Sequence, residues 1–106
     1  MKNFGLLGEK LSHSFSKDFF NKKFLEENIN AHYSNFEFND LTKFKDLFKD
    51  QIISGLNVTI PYKNKVIQYL DSIDSISQEI KAVNTILPFY KDNKLTHLKG
   101  YNTDVY

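Results

Sequence analysis

Apolar and polar positions alternate in short blocks, and the blocks predict strand and helix in turn. Phe4 to Leu7 is a short apolar run ending at Gly8, the signature of a buried strand. Residues 17–28 follow with helix-start signals: Ser16 as a cap, Asp18 in the first turn, and Phe15 placed to staple onto Phe20. Phe19, Phe20 and Phe24 would form the buried face of that helix, which closes at Asn28 to Asn30. Residues 32–38 alternate as a second strand, carrying Tyr33, Phe36 and Phe38. Asn39 or Asp40 can then cap a helix that places Leu41, Phe44, Leu47 and Phe48 on one face.

The second half repeats this grammar. Gly55 opens the strand Leu56-Asn57-Val58-Thr59-Ile60, which Pro61 ends, and a short helix from about Lys63 carries Val66, Ile67 and Leu70. Ser75 to Gln78 has the spacing of a capping box for a further helix, with Ile76 and Ile80 facing inward. Val83 to Tyr90 and Leu95 to Leu98 read as two strands joined by a hairpin turn, Lys91-Asp92-Asn93-Lys94. The order predicts an α/β fold: a mostly parallel sheet with helices on both faces and a late antiparallel hairpin strand. The chain ends on Val105-Tyr106 without a polar tail or helix stop, which suggests continuation past residue 106.

Composition narrows the function. A chain of 106 residues is one domain. A net charge of +1 offers no basic face for nucleic acid. All 14 cationic side chains are lysine, so an anion must be held without the bidentate guanidinium fork. With no cysteine there is neither a disulfide framework nor a thiolate metal site, and His13, His32 and His97 lack metal-ligand spacing, so no metal is expected. No apolar run approaches the roughly 20 residues that span a bilayer. The start, Met1-Lys2-Asn3-Phe4, enters a strand and not a signal peptide, so no membrane partner and a cytoplasmic protein are expected. The four glycines, at 5, 8, 55 and 100, cannot write a G-x-G-x-x-G turn or a P-loop.

Four segments concentrate uncharged polar groups and one lysine where a sheet-based site wants them. His13-Ser14-Phe15-Ser16 leads into a helix, whose free N–H groups favour a carboxylate; read locally, Ser16 caps and Ser14 fills a turn. In Asn57-Val58-Thr59-Ile60-Pro61-Tyr62-Lys63, strand alternation puts Asn57 and Thr59 on one face and Leu56, Val58 and Ile60 on the other. Lys63 emerges just past the carboxyl end of that strand, where α/β sheets bind ligands, and at a helix start, where the dipole disfavours a cation. A solvated surface lysine is the alternative. Ala82-Val83-Asn84-Thr85 begins a strand with an amide, and in Gly100-Tyr101-Asn102-Thr103-Asp104 the aspartate could simply cap a following helix.

Taken together, Gly5-Leu6-Leu7-Gly8 with His13-Ser14-Phe15-Ser16, then N-V-T-I-P-Y-K at 57–63, A-V-N-T at 82–85 and N-T-D at 102–104, resemble the shikimate dehydrogenase family. The order and spacing agree over nearly the whole chain. The family often has proline after Gly8 and after the second serine; Glu9-Lys10 and Lys17 stand here instead, which alters loop stiffness and no proposed ligand group. The resemblance implies that Ser14 and Ser16 bind the shikimate carboxylate and that Asn57, Thr59, Asn84 and Asp104 hold ring hydroxyls. It implies Lys63 as catalytic lysine, with Asp104 orienting it. It further implies reduction of 3-dehydroshikimate to shikimate in aromatic amino-acid biosynthesis, with NADP bound by a Rossmann-type domain after N-T-D that these residues do not include. A stand-alone shikimate- or quinate-binding module and a quinate-preferring dehydrogenase are the alternatives.

Overall fold

The computed structural model describes residues 1–12 and 14–103. The first half runs β1 (Lys2–Gly8), α1 (Ser16–Glu26), β2 (Ala31–Glu37), a 3-10 turn at Phe44–Asp46, α2 (Leu47–Asp50) and β3 (Ile53–Val58). The second half runs α3 (Tyr62–Lys65), a 3-10 turn at Val66–Tyr69, β4 (Ser72–Ile73), α4 (Ser75–Ile80), β5 (Thr85–Lys91) and β6 (Lys94–Tyr101). The expected elements are present; the two-residue β4 is an addition too short to leave a periodic signal.

The six strands form one sheet in the order β2-β1-β3-β5-β6-β4. β1 pairs parallel with β2 and β3, and β4 parallel with β6, while β5 is antiparallel to both β3 and β6. The carboxyl ends of β1, β3 and β6 therefore lie at the same end of the sheet as the start of β5. The β5–β6 turn has Asp92 and Asn93 at φ 52° and 65°, the left-handed pair that a two-residue hairpin requires and that Asp and Asn tolerate.

Alternating side chains divide the core between the two faces of the sheet. On one face Leu6 packs with Leu11, Tyr33, Phe4, Phe20 and Phe24 beneath α1. On the other, Leu7, Leu56, Val58, Ile86 and Leu98 meet Phe44, Phe48, Tyr62 and Val66. Helices thus cover both faces, as the alternation predicts.

Local expectations need four corrections. Phe15 is 85% exposed and forms no staple on Phe20, whose ring stacks on Tyr33 instead. Phe19 is 60% exposed, because Phe20 and Phe24, four residues apart, already occupy the inward stripe. The helix expected over Leu41 to Phe48 is a 3-10 turn and one α-turn, Leu41 lying ahead of both, where Asp40 binds the Thr42 N–H at 2.9 Å. Asp74, and not Ser75, caps α4 by accepting the Ser77 N–H at 2.9 Å; the hydroxyl and amide of Ser77 hold its carboxyl below the usual range. The register shift leaves Ile80 exposed and buries Ser77.

Gly5 shows how tightly β1 is packed. A Cβ there would meet the Phe36 ring and stand 2.7 Å from the Ser34 carbonyl on β2. Backbone cannot yield as a side chain can, so Gly5→Ala should cost about 1–3 kcal/mol of stability, read from the midpoint of urea unfolding. A change below about 0.5 kcal/mol would contradict this packing.

Candidate substrate site at the carboxyl end of the sheet

Four polar segments leave the same end of the sheet, and backbone hydrogen bonds lock them together. The Thr59 N–H donates to the Leu7 carbonyl at 3.0 Å, tying the exit of β3 to that of β1. Val58 N–H donates to the Asn84 carbonyl at 2.8 Å, and Asn84 N–H to the Tyr101 carbonyl at 2.9 Å. Val83 N–H donates to the Lys63 carbonyl at 2.7 Å. The order of these bonds is β1, β3, β5, β6, so residues far apart in sequence are neighbours through their main chains.

At the start of α1, the Ser16 N–H donates to Ser14 Oγ at 3.3 Å. The geometric cap residue is Phe15, whose side chain makes no cap bond; Ser14 serves this end of the helix from one residue earlier. Both serines are half-buried. Accepting from the amide leaves the Ser14 hydroxyl proton available to an acceptor such as a carboxylate.

Asn57 and Thr85 are direct partners in the β3/β5 ladder and so project to the same face. Asn57 Nδ2 donates to the Tyr33 hydroxyl at 3.0 Å. Tyr33 is 2% exposed; burial raises its pKa, opposed by hydrogen bonds from Asn57 and Ser16. The predicted alternation holds up to Val58, where β3 ends, and Ile60 is 77% exposed instead of sharing the buried side with Leu56 and Val58. The chain turns there at a cis Ile60-Pro61 bond. Tyr62 then inserts into the core and donates its hydroxyl to the Phe38 carbonyl. Burial, with Glu9 and Asp40 charges beside it, raises its pKa. This buried anchor sets the start of α3, which presents the half-buried Lys63.

Asn84 is the hub of the opposite side. Its Oδ1 accepts the Thr103 N–H at 3.1 Å and the Thr85 hydroxyl at 3.0 Å, while its Nδ2 donates to Thr103 Oγ1 at 3.0 Å. Asn102 is buried and donates to the Ala82 carbonyl at 3.1 Å. Ser14, Ser16, Asn57, Thr59, Lys63 and Asn84 thus all stand at one end of the sheet; Asp104 lies outside the described residues. Sequence reasoning gave no role to Tyr33, Thr85 or Thr103. Thr85 and Thr103 were visible within A-V-N-T and N-T-D, whereas Tyr33 looked like any aromatic of an alternating strand.

Two neighbouring features are different in kind. A groove of about 300 Å³ beside Asn57 and Thr85 is lined by Phe4, Phe20, Phe24 and Leu87, an apolar surface unsuited to a polyhydroxylated acid. The β1–α1 turn has no glycine between Gly8 and Ser16, so it does not cradle a pyrophosphate. Among the described residues no cluster of His, Cys, Asp or Glu is placed to hold a metal, and no helix is long and apolar enough to cross a membrane.

Asn84→Ala would remove the acceptor of the Thr103 N–H. A bond of this kind is worth about 1 kcal/mol, so the Thr103 amide should exchange with solvent about fivefold faster, while amides within β1 and β3 stay unchanged. Unaltered exchange at Thr103 would show that Asn84 does not hold this segment.

Residues 6–86 match the family model of the shikimate dehydrogenase substrate binding domain. The NADP(+) shikimate dehydrogenase of Clostridium beijerinckii is 46% identical over 100% of this chain and 38% of its own length. The crystal structure of shikimate dehydrogenase 1 from Peptoclostridium difficile superposes with a TM-score of 0.82 at 45% identity, covering 98% of this chain and 37% of that one. A Thermus thermophilus shikimate 5-dehydrogenase solved in complex with shikimate superposes with a TM-score of 0.78 at 27% identity, over 98% of this chain and 38% of that one. The chain therefore spans well under half the length of these relatives, and over that span it belongs to the shikimate dehydrogenase family as a substrate-binding domain.

Proposed function

We propose that these residues form the shikimate-binding part of an NADP-dependent enzyme that reduces 3-dehydroshikimate to shikimate, and that the nucleotide is held by a Rossmann-type domain beyond residue 106. The observation that carries the reading is the convergence of Ser14, Ser16, Asn57, Thr59, Lys63 and Asn84 at one end of the sheet, joined by the β1–β3–β5–β6 backbone bonds. Cytoplasmic aromatic amino-acid biosynthesis follows from the same family resemblance.

The chemistry suits the residue types. Shikimate is a cyclohexene ring bearing a carboxylate and three hydroxyls, so a partner needs donors at one end and mixed donors and acceptors at the other. Ser14 and Ser16, at the positive end of the α1 dipole, supply the former. Asn57, Thr59 and Asn84 supply amide and hydroxyl groups that both donate and accept.

Lys63 carries the proton. As hydride reaches the ketone carbon, the carbonyl oxygen gains negative charge; a lysine ammonium beside it stabilises that charge and delivers its proton to the oxygen. In the reverse direction the neutral amine takes the proton back from the hydroxyl. Asp104, read from the N-T-D motif, would orient the lysine and favour its charged form. The residues present do not fit the nucleotide itself, since the β1–α1 turn has no glycine between Gly8 and Ser16.

In the protein at its full natural length, Lys63→Ala should lower kcat by about 10²–10⁴ while the KM for shikimate changes far less. Near-normal turnover in steady-state assays would reject the assigned role. Residues 1–106 alone should give no heat of binding with NADP in calorimetry; tight binding there would contradict the division of labour.

A further inference from the structure

Tyr33 lies on β2, at the edge of the sheet, yet it is 2% exposed. Two neighbours on α1 hold it. The Phe20 ring stacks on it with centroids 4.8 Å apart and planes at 26°. Asn21 forks its main chain, accepting the Tyr33 N–H at 2.8 Å and donating to the Tyr33 carbonyl at 2.9 Å. Asn21 thereby stands in for the strand that β2 lacks on its outer side, and it fixes Tyr33 against helix α1.

The side chain then reaches across β1. Phe4, opposite Tyr33, and Leu6, opposite Asn57, are the β1 residues between them. The Tyr33 hydroxyl meets Asn57 Nδ2 at 3.0 Å. Volume alone would be satisfied by phenylalanine, which this chain uses at ten positions; a buried hydroxyl is costly unless its bonds are made. The direction of this bond follows from what each group can do. The Asn57 amide nitrogen can only donate, so the phenol oxygen accepts there.

We infer that Tyr33 is a positioning residue for substrate, its hydroxyl engaging one N–H of Asn57 and leaving the carbonyl and second N–H of that amide for a ring hydroxyl. This rests on the shikimate reading above. An amide free to rotate about its side-chain torsions would meet a ring hydroxyl in several orientations, and the bond to the buried phenol restricts them.

The test is Tyr33→Phe in the protein at its full natural length, with shikimate as the probe. Losing the hydroxyl should raise the KM for shikimate about tenfold, with kcat changed less than about threefold and the KM for the nicotinamide nucleotide unmoved. Combined with Asn57→Ala, the loss should be smaller than the product of the two single losses, because Tyr33 acts through Asn57. Asn57→Ala leaves the aromatic core untouched and so reads the coupling independently of any packing defect. A shikimate KM within about twofold of wild type, an equal rise in the nucleotide KM, or multiplicative effects in the double variant would overturn the inference while wild type still turns over shikimate. Wild-type protein that neither binds nor oxidises shikimate would instead overturn the functional reading, and this inference with it.

Discussion

Asn57 and Thr85 face each other across the β3/β5 ladder, and that antiparallel pairing decides where the other polar groups can stand. Because β5 runs back against β3, it must begin where β3 ends, so Asn84 arrives beside Val58 and bonds to it through its carbonyl. β6 then returns antiparallel to β5 and delivers residues 102–103 to the same place. A fully parallel sheet would instead put the start of that strand at the far end, about 20 Å away for a six-residue strand. The switch of direction within an otherwise parallel arrangement is what gathers residues from four segments into one site.

The two layers beneath do different work. Leu7, Leu56, Val58, Ile86 and Leu98 are buried against the α2–α3 side. Side chains of this kind each contribute about 1.5–3 kcal/mol on burial, so the sheet is a rigid base. The polar end adds bonds worth about 1 kcal/mol apiece, which orient more than they stabilise. Tyr62 and Tyr33 connect the layers: each buries an aromatic body and sends one hydroxyl to a defined partner, the Phe38 carbonyl for Tyr62 and Asn57 for Tyr33. Both are placed so that moving them would move Lys63 or Asn57.

Much of this was legible before any coordinates. Alternation along Tyr33, Phe36 and Phe38, the apolar run at Leu6-Leu7, and Asp92-Asn93 at the hairpin turn each followed from a local rule with one physical cause. What escaped depended on tertiary choice. Asp74 and Ser75 are both good caps; moving the start by one residue exposes Ile80 and buries Ser77. Phe15 had the right spacing for a staple, but Phe20 was already committed to Tyr33. At the site, motif spacing named the side chains proposed to meet a ligand, whereas Tyr33, the residue behind Asn57, carries no motif and is found only by following the hydrogen bond from Asn57.

The central claim is that Ser14–Ser16, Asn57–Lys63, Asn84–Thr85 and Asn102–Thr103 act as one binding surface. An amide-resolved nuclear magnetic resonance titration of the full natural protein with shikimate tests it most directly. The account predicts saturable shift changes concentrated in those four segments, all following one binding curve. Changes confined to the apolar groove around Phe24 and Leu87, or scattered with different curves, would contradict it.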